Sequence, residues 1–263
     1  MSTPEQAQRV QQAFSRQAPA FDRIDREEPL IQWVREEVRT EVLRWVAPGQ
    51  RMLELNAGTG LDATFFASKG IRVTATDSAP GMLAQARANV PPTVILRELD
   101  YHRLDTFAPA SFEHVFSNFG GLNCTDRLDL VLRGIDHVLV PGGRCTLVIM
   151  PRVSPWEMIE IFRGHARLAL RRFRKGGAPA HLEGVEFVCH YHSAASIRRG
   201  LPGYGPCSLM ALSLIVPPPH LGAFAQRHPW CIRKAKHLER IVRGWPLLRG
   251  WGDHIVITLQ KPG

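Results

Sequence analysis

Residues 51–62 read RMLELNAGTGLD, and no other stretch constrains the fold as much. An apolar run of Met52, Leu53 and Leu55, carrying the single acid Glu54, passes at once into Asn56, Ala57, Gly58, Thr59 and Gly60. A helix-compatible run, LDATFFASKG, follows. The order is strand, tight turn, helix. Glycine and asparagine accept left-handed backbone angles, so the chain can reverse closely around a ligand. The helix beginning near Leu61 then directs unpaired backbone N–H groups toward that ligand.

Two ligand classes use this geometry. Gly58, Gly60 and Ala63 satisfy the dinucleotide fingerprint G-x-G-x-x-A, and Asp77 stands about 20 residues on, the distance of a ribose contact. Glu54 separates the two. A carboxylate at the end of that strand repels a pyrophosphate and attracts a ligand bearing ammonium or sulfonium charge.

With Glu54 followed by Asn56, Gly58 and Gly60 at steps of two, the segment resembles the first motif of the class I S-adenosylmethionine-dependent methyltransferases, in which an acid precedes small residues at alternate positions. Asn56 and Ala57 replace the family's usual Gly and Cys or Gly, and asparagine is the least costly substitute at a left-handed position. The resemblance covers about residues 50 to 150 strongly and the last strands more weakly. It implies an α/β fold: a Rossmann-like, doubly wound, seven-stranded sheet, mostly parallel with an antiparallel last strand, plus N-terminal helices and an inserted cap.

The rest of the chain carries matching signals. IRVTATD alternates with β-branched residues and ends a second strand at Asp77; TVILRELD ends a third at Asp100; FEHVFSNF ends a fourth near Asn118; and RCTLVIM closes a fifth at Met150. Helices GMLAQARANV, with Ser78 as N-cap and Pro80 in the first turn, and LDLVLRGIDHVL fall between them. Such alternation predicts a parallel sheet covered on both faces. Upstream, Ile31, Val34, Val38, Val42 and Trp45 recur at helical spacing between Pro29 and Pro48. The preceding AFSRQAPAFDRIDREEP is broken by Pro19 and reads either as a solvated connector or as a flap over the ligand pocket. Beyond Met150, Trp156, Ile159, Phe162, Ala166, Ala169 and Phe173 fall in phase for one long helix, followed by a break at Gly176 and Gly177, a strand VEFVCHYH and a helix from Ser193. CSLMALSLIV and HIVITLQK read as the final strands. One domain over 1–263 is expected: a helical segment 1–48, a cofactor-binding core 49–150, a cap 151–206, and terminal strands with a helical insertion 207–263.

In an open α/β sheet the ligand sits beyond the carboxyl ends of the strands, where strand order reverses. Asp77 is placed to accept both ribose hydroxyls, Asp100 to accept from an adenine amino group with Tyr101 or Leu99 along the ring, and Met82 to pack on the adenine face. Glu54, Asn56, Ala57, Gly58, Gly60, Asp77, Ser78, Met82, Asp100, Tyr101, Ser117 and Asn118 are the expected contacts of S-adenosylmethionine and its product S-adenosylhomocysteine. Asn118 is followed by Phe119 and Gly120 instead of Pro-Pro and an aromatic, which disfavours methylation of nucleobase or glutamine amino groups. A general base is required only if the acceptor loses a proton. Tyr191 and His192 are the catalytic candidates, with His190 and His254 as further possibilities. His190 and His192 share a strand face, but no third ligand completes a metal site.

The function expected is methyl transfer to a small molecule in secondary, lipid or cofactor metabolism. An NAD(P)-dependent oxidoreductase and an RNA methyltransferase are the alternatives. Tyr101, Tyr191 and Tyr204 are followed four residues later by Asp105, Ala195 and Ser208, so the Tyr-x-x-x-Lys pair of short-chain dehydrogenases is missing. No nucleic-acid-binding module is recognisable, so nucleic acid is disfavoured as a partner. The formal charge of +9 favours anionic partners, an acidic or lipid-like substrate among them. Arginines 163, 167, 171, 172 and 174 read as the solvated face of the long helix or as a contact for an anionic surface. Five scattered cysteines predict reduced thiols. The first ten residues lack a signal-like apolar stretch, and no run is long enough to span a membrane, so a cytoplasmic protein is expected. Oligomeric state is not specified.

Overall fold

The computed structural model describes residues 4–263. Helix α1 (Pro4–Glu27) runs unbroken through Pro19. An interior proline costs a helix about 3 kcal/mol, and burial of Ala13 and Ala18 on its N-terminal side opposes that cost. Helix α2 (Pro29–Val42) buries Leu30, Trp33, Val34, Val38 and Val42, while the expected Ile31 and Trp45 are only half-buried.

Strand β1 (Arg51–Leu55), helix α3 (Leu61–Ser68), strand β2 (Arg72–Asp77), helix α4 (Pro80–Asn89), strand β3 (Ile95–Glu98), strand β4 (Phe112–Ser117), helix α5 (Leu128–Val138) and strand β5 (Leu139–Ile149) alternate as the pattern demands. After helices α6 (Pro155–Met158) and α7 (Ala166–Ala169) come a separate hairpin of β6 (Ala178–Leu182) and β7 (Val185–Cys189), helix α8 (Ala194–Gly200), strand β8 (Gly205–Leu212), helices α9 (Gly222–Arg227) and α10 (Pro229–Val242), and strand β9 (His254–Gln260).

The main sheet has seven strands in the order β3-β2-β1-β4-β5-β9-β8. β9 is antiparallel to both neighbours, and the pairs from β3 to β5 are parallel. Side chains alternate across it. Met52 joins a layer with α2 and α3, and Leu53 and Leu55 join one with α5 and α8. Strand order reverses between β1 and β4, so their carboxyl ends open the crevice where a ligand is expected.

Four local expectations are corrected. Ser78 is not the N-cap of α4: Ala79 holds that position, and its N–H donates to Asp77 Oδ1 at 2.8 Å. β3 ends at Glu98, and Asp100 instead caps the 3₁₀ turn Tyr101–Thr106, accepting from the His102 N–H. β5 includes the Pro141–Gly143 turn, which puts a register shift between the pairs Phe112↔Leu139 and His114↔Arg144. Finally, the long helix over 156–173 is four short pieces, interrupted at Gly164 (φ 82°). Its chain folds back so that Arg171 and Arg172 both bond Glu157. Arg172 is therefore buried, and residues expected inside, Ile159, Phe162 and Phe173, are exposed.

Candidate active site

The turn after β1 behaves as its composition dictates. Asn56, Gly58 and Gly60 have φ of 47°, 58° and 81°, a left-handed residue at every second position. A Cβ on Gly60 would lie 2.4 Å from Val90, so α3 can start this close to the end of α4 only with glycine there. Asn56 keeps its amide occupied: Nδ2 donates to the Asn118 carbonyl (3.1 Å), and Oδ1 accepts from Ser117 Oγ (2.7 Å). That pair ties the end of β1 to the end of β4.

Glu54 is buried beneath this turn, and its Oε2 has no hydrogen-bond partner. Burial, reinforced by the charge of Asp62, raises its pKa well above the usual carboxylate value. Asp62, in the first turn of α3, is held low despite its burial because Arg35 and Arg39 surround it. Arg35 Nη1 reaches Asp62 Oδ2 at 2.5 Å, Arg39 Nε reaches Oδ1 at 2.7 Å, and Asn118 Nδ2 donates at 2.8 Å. Asp62 is thus compensated, whereas Glu54 keeps an unbonded carboxylate oxygen. A cationic ligand fits it; a phosphate does not.

Asp77 and Asp100 stand on the other side of the same cavity. Asp77 accepts from the N–H groups of Gly58 and Ala79, both at 2.8 Å, which fixes its carboxylate against the glycine turn. His102 connects Asp100 Oδ1 (2.6 Å) to Thr125 Oγ1 (2.8 Å). Although burial pushes Asp100 up, these bonds from His102 keep it below its ordinary value. Ala57, Ser78, Met82, Leu99, Tyr101 and Cys124 complete the apolar and small-residue wall.

Helix α1 closes the cavity with Ala7, Val10, Gln11, Phe14 and Phe21. Its seat is specific. Thr59 Oγ donates to Asp22 at 2.5 Å, Gly81 N donates to Ser15 Oγ at 3.2 Å, and Gln6 exchanges bonds with the backbone of Val188 in β7. A Cβ at Gly81 would lie 2.6 Å from the Ser15 carbonyl, so the close approach of α1 to α4 requires glycine.

A second cavity adjoins the first and shares Phe21, Arg35 and Phe119 with it. Ile24, Ile31, Val34 and Pro219 make it largely apolar, and Gln17, Asp25 and His254 are its other polar members. Phe119 holds φ at 48°, a costly angle for an aromatic residue. Arg35 lies over its ring at 4.6 Å, and His254 meets it edge-on at 6.3 Å between centroids. His254 Nδ1 is 3.0 Å from Asp253, which in turn binds Arg172 at 2.7 Å.

Of the expected contacts, Glu54, Asn56, Ala57, Gly58, Asp77, Ser78, Met82, Asp100, Tyr101 and Asn118 line the first cavity. Gly60 and Ser117 lie behind it, one at the N-cap of α3 and the other bonded to Asn56. Tyr191 and His192 line neither cavity. Tyr191 packs under Arg172, 5.1 Å from its ring centroid, with its pKa pushed up to about 12 by burial. The backbone N–H of His192 donates to the Met150 carbonyl, and burial drives its imidazole down to about 4. Arg35, Asp62, His102 and Phe119 were missed. The available signal for Arg35 was its place on the apolar stripe, four residues after Ile31.

The sheet order, the acid-led turn after β1 and the strand-end carboxylates together define a class I S-adenosylmethionine-dependent methyltransferase fold. Residues 52–143 match the model of the family described as "Methyltransferase domain". A ubiquinone/menaquinone biosynthesis C-methyltransferase, UbiE, of Rubrivivax gelatinosus is 32% identical over 142 residues, 53% of this chain and 55% of its own length. The S-adenosyl-L-methionine-dependent Diels-Alderase iccD of Talaromyces variabilis is 32% identical over 120 residues, 43% of this chain and 41% of its own. The chain spans about half the length of the curated relatives it matches. Among solved structures, the 1,6-didemethyltoxoflavin-N1-methyltransferase of Burkholderia thailandensis superposes over 100% of this chain and 92% of its own, with a TM-score of 0.58 at 16% identity, which establishes the shared fold.

Proposed function

We propose that this chain binds S-adenosylmethionine in the first cavity and methylates a small, largely apolar molecule held in the second. The observation that carries the proposal is the buried, unpartnered carboxylate oxygen of Glu54 at the point where strand order reverses. When bound, S-adenosylmethionine supplies a methyl group already activated on sulfonium. Glu54 would face the ammonium group of its methionine part, Asp77 the ribose hydroxyls, and Asp100 the adenine amino group, with Met82 and Tyr101 beside the ring. The structural relative crystallised with S-adenosylhomocysteine and the quinone methyltransferase among the sequence relatives support this assignment.

The acceptor side follows from the shared wall. Phe21, Phe119 and Arg35 belong to both cavities, and Arg35 and Asn118 both bond Asp62, so a molecule in the second cavity meets the first beside Asn118 and Asp62. The chain's main contribution is alignment, worth roughly 7–11 kcal/mol when reacting groups are held in line. If the acceptor must lose a proton, His254 is the group that takes it. Asp253 engages Nδ1, and Nε2 makes no hydrogen bond among the described residues. Tyr191 and His192, the candidates from sequence, reach neither cavity, so the proton-accepting role passes to His254.

Calorimetric titration with S-adenosylhomocysteine and with NADH tests the cofactor. Saturable binding of the first, at least tenfold weakened in Glu54→Gln, and none of the second is expected; tight NADH binding would overturn the proposal. With labelled S-adenosylmethionine and a panel of apolar phenols and quinols, His254→Gln should slow methyl transfer at least tenfold while leaving S-adenosylhomocysteine affinity unchanged. A variant with an unaltered rate of methyl transfer removes His254 from the reaction.

A further inference from the structure

The exposed apolar side chains of this protein are not scattered. Of the 16 large hydrophobic residues exposed among the described residues, 14 lie in two segments, 151–175 and 222–251. Phe162 and Leu247 are 89% and 84% exposed, and Trp230, Trp245 and Trp251 stand in the open with them. Isolated exposed hydrophobics need no explanation, but a concentration of this kind marks an interaction surface.

The charge follows the same division. The two segments hold 14 of the 33 Lys and Arg residues and 3 of the 24 Asp and Glu residues, so they carry +11 formally and the remainder of the chain −2. The whole positive excess therefore sits among the exposed aromatic and aliphatic side chains. Several of these cations neutralise internal acids, as Arg172 does Glu157 and Arg243 does Glu37. Arg167, Arg174, Lys175, Arg233, Lys234 and Arg249 are exposed and have no acidic partner among the described residues.

Helix α10 shows how the two properties combine. Its inner face buries Ile232, Glu239 and Val242, with Ala235 half-buried. Its outer face presents Trp230, Lys234, Leu238 and Ile241 at helical spacing, and Trp245, Leu247 and Trp251 continue from its end. Amphipathic helices normally turn their apolar stripe inward; this one carries a second stripe outward, flanked by Arg233 and Lys234. The two segments meet where Gly252 N–H donates to the Val153 carbonyl and Arg172 binds Asp253. Tryptophan, phenylalanine and leucine interleaved with unpaired Lys and Arg match the boundary between lipid headgroups and acyl chains, where rings insert and cations meet anionic headgroups.

We propose that the surface formed by segments 151–175 and 222–251 docks on an anionic lipid bilayer, with Trp230, Trp245, Leu247, Trp251 and Phe162 inserted. This docking stands apart from methyl transfer, and either can fail without the other. The test is co-sedimentation of the full chain with phosphatidylcholine vesicles containing 0 or about 30% phosphatidylglycerol, paired with quenching of tryptophan fluorescence by brominated acyl chains. Binding confined to anionic vesicles, with quenching, is expected. The triple variant Trp230→Ala, Trp245→Ala, Trp251→Ala should bind these vesicles at least tenfold more weakly and lose the quenching, while S-adenosylhomocysteine affinity and thermal midpoint report that it is folded. Arg233→Ala with Lys234→Ala should lower binding at low salt and flatten its salt dependence. No sedimentation at low salt overturns the proposal. So does equal binding to heparin or RNA that the tryptophan changes leave untouched, which would assign the surface to a soluble polyanion, or a stable dimer that vesicles do not compete apart.

Discussion

Glu54 and Asp62 are two buried acids in contact with the same arginine field, yet they are held in opposite protonation tendencies. Asp62 takes the ion pairs, and Glu54 is left with burial and a neighbouring negative charge. A raised pKa means that free Glu54 retains its proton at pH values where a solvated glutamate has lost it. A bound cation lowers that pKa again, so binding must release a proton, and cofactor affinity must rise with pH through the pKa of the free protein. Titration of S-adenosylhomocysteine at mildly acid pH, in two buffers of different ionisation enthalpy, should show this release. Glu54→Gln should abolish it and cost about 1.5–3 kcal/mol of binding. At this scale the sequence was legible wherever a residue's own backbone preference decided the outcome: the left-handed Asn56, Gly58 and Gly60 sit as their types require. Tyr191 and His192 could not be placed, because the path of the chain after β7 is set by bonds from Asn123 to the backbone of Met150 and His190, which no local pattern encodes.

Among the elements, α1 departs most from its sequence signal. Pro19 marks a break, but packing keeps the helix whole from Pro4 to Glu27 and lays it across the first cavity. Of the two alternatives, solvated connector and flap, the contacts favour the flap. Asp22 is its clasp, accepting from Thr59 in the glycine turn and from Asn89 Nδ2 at 2.7 Å at the end of α4. Asp22→Ala should therefore loosen the cover and leave the sheet intact: hydrogen exchange across 4–27 rises, S-adenosylhomocysteine binding weakens by about 1 kcal/mol, and the thermal midpoint moves by no more than a few degrees. An equally protected α1 in that variant would show that the clasp contributes nothing. The segment 156–173 failed for a related reason. Its apolar residues fall in helical phase, but Gly164 and the attraction of Arg171 and Arg172 to Glu157 fold it back on itself.

For the whole molecule, the parallel β1–β5 part of the sheet was legible because hydrophobic alternation and strand-end acids repeat along that stretch, and the seventh strand and the antiparallel β9 followed only from the family resemblance, whereas the β6–β7 hairpin was half seen, since Ala178–Leu182 carries no strand-like alternation. The sheet also stores a pH sensitivity. His114, in β4 between β1 and β5, is fully buried with neither ring nitrogen hydrogen-bonded, and burial pushes it from 6.5 to about 3. Its unfolded form takes up a proton as pH falls below 6.5 while the folded form refuses it, so stability is lost on acidification, by about 2 kcal/mol from this residue alone at pH 5. Denaturant titrations at pH 7.5 and 5 should show that loss, and His114→Leu should shrink it. Finally, the two bonds between Gln6 and Val188 join residues 182 positions apart. During translation at about 5–20 residues per second, α1 emerges roughly 9–36 s before the strand that receives it. Throughout that interval Phe14 lacks the Phe187 ring it packs against, so the nascent polypeptide must keep part of a sticky helix shielded until that docking partner leaves the ribosome.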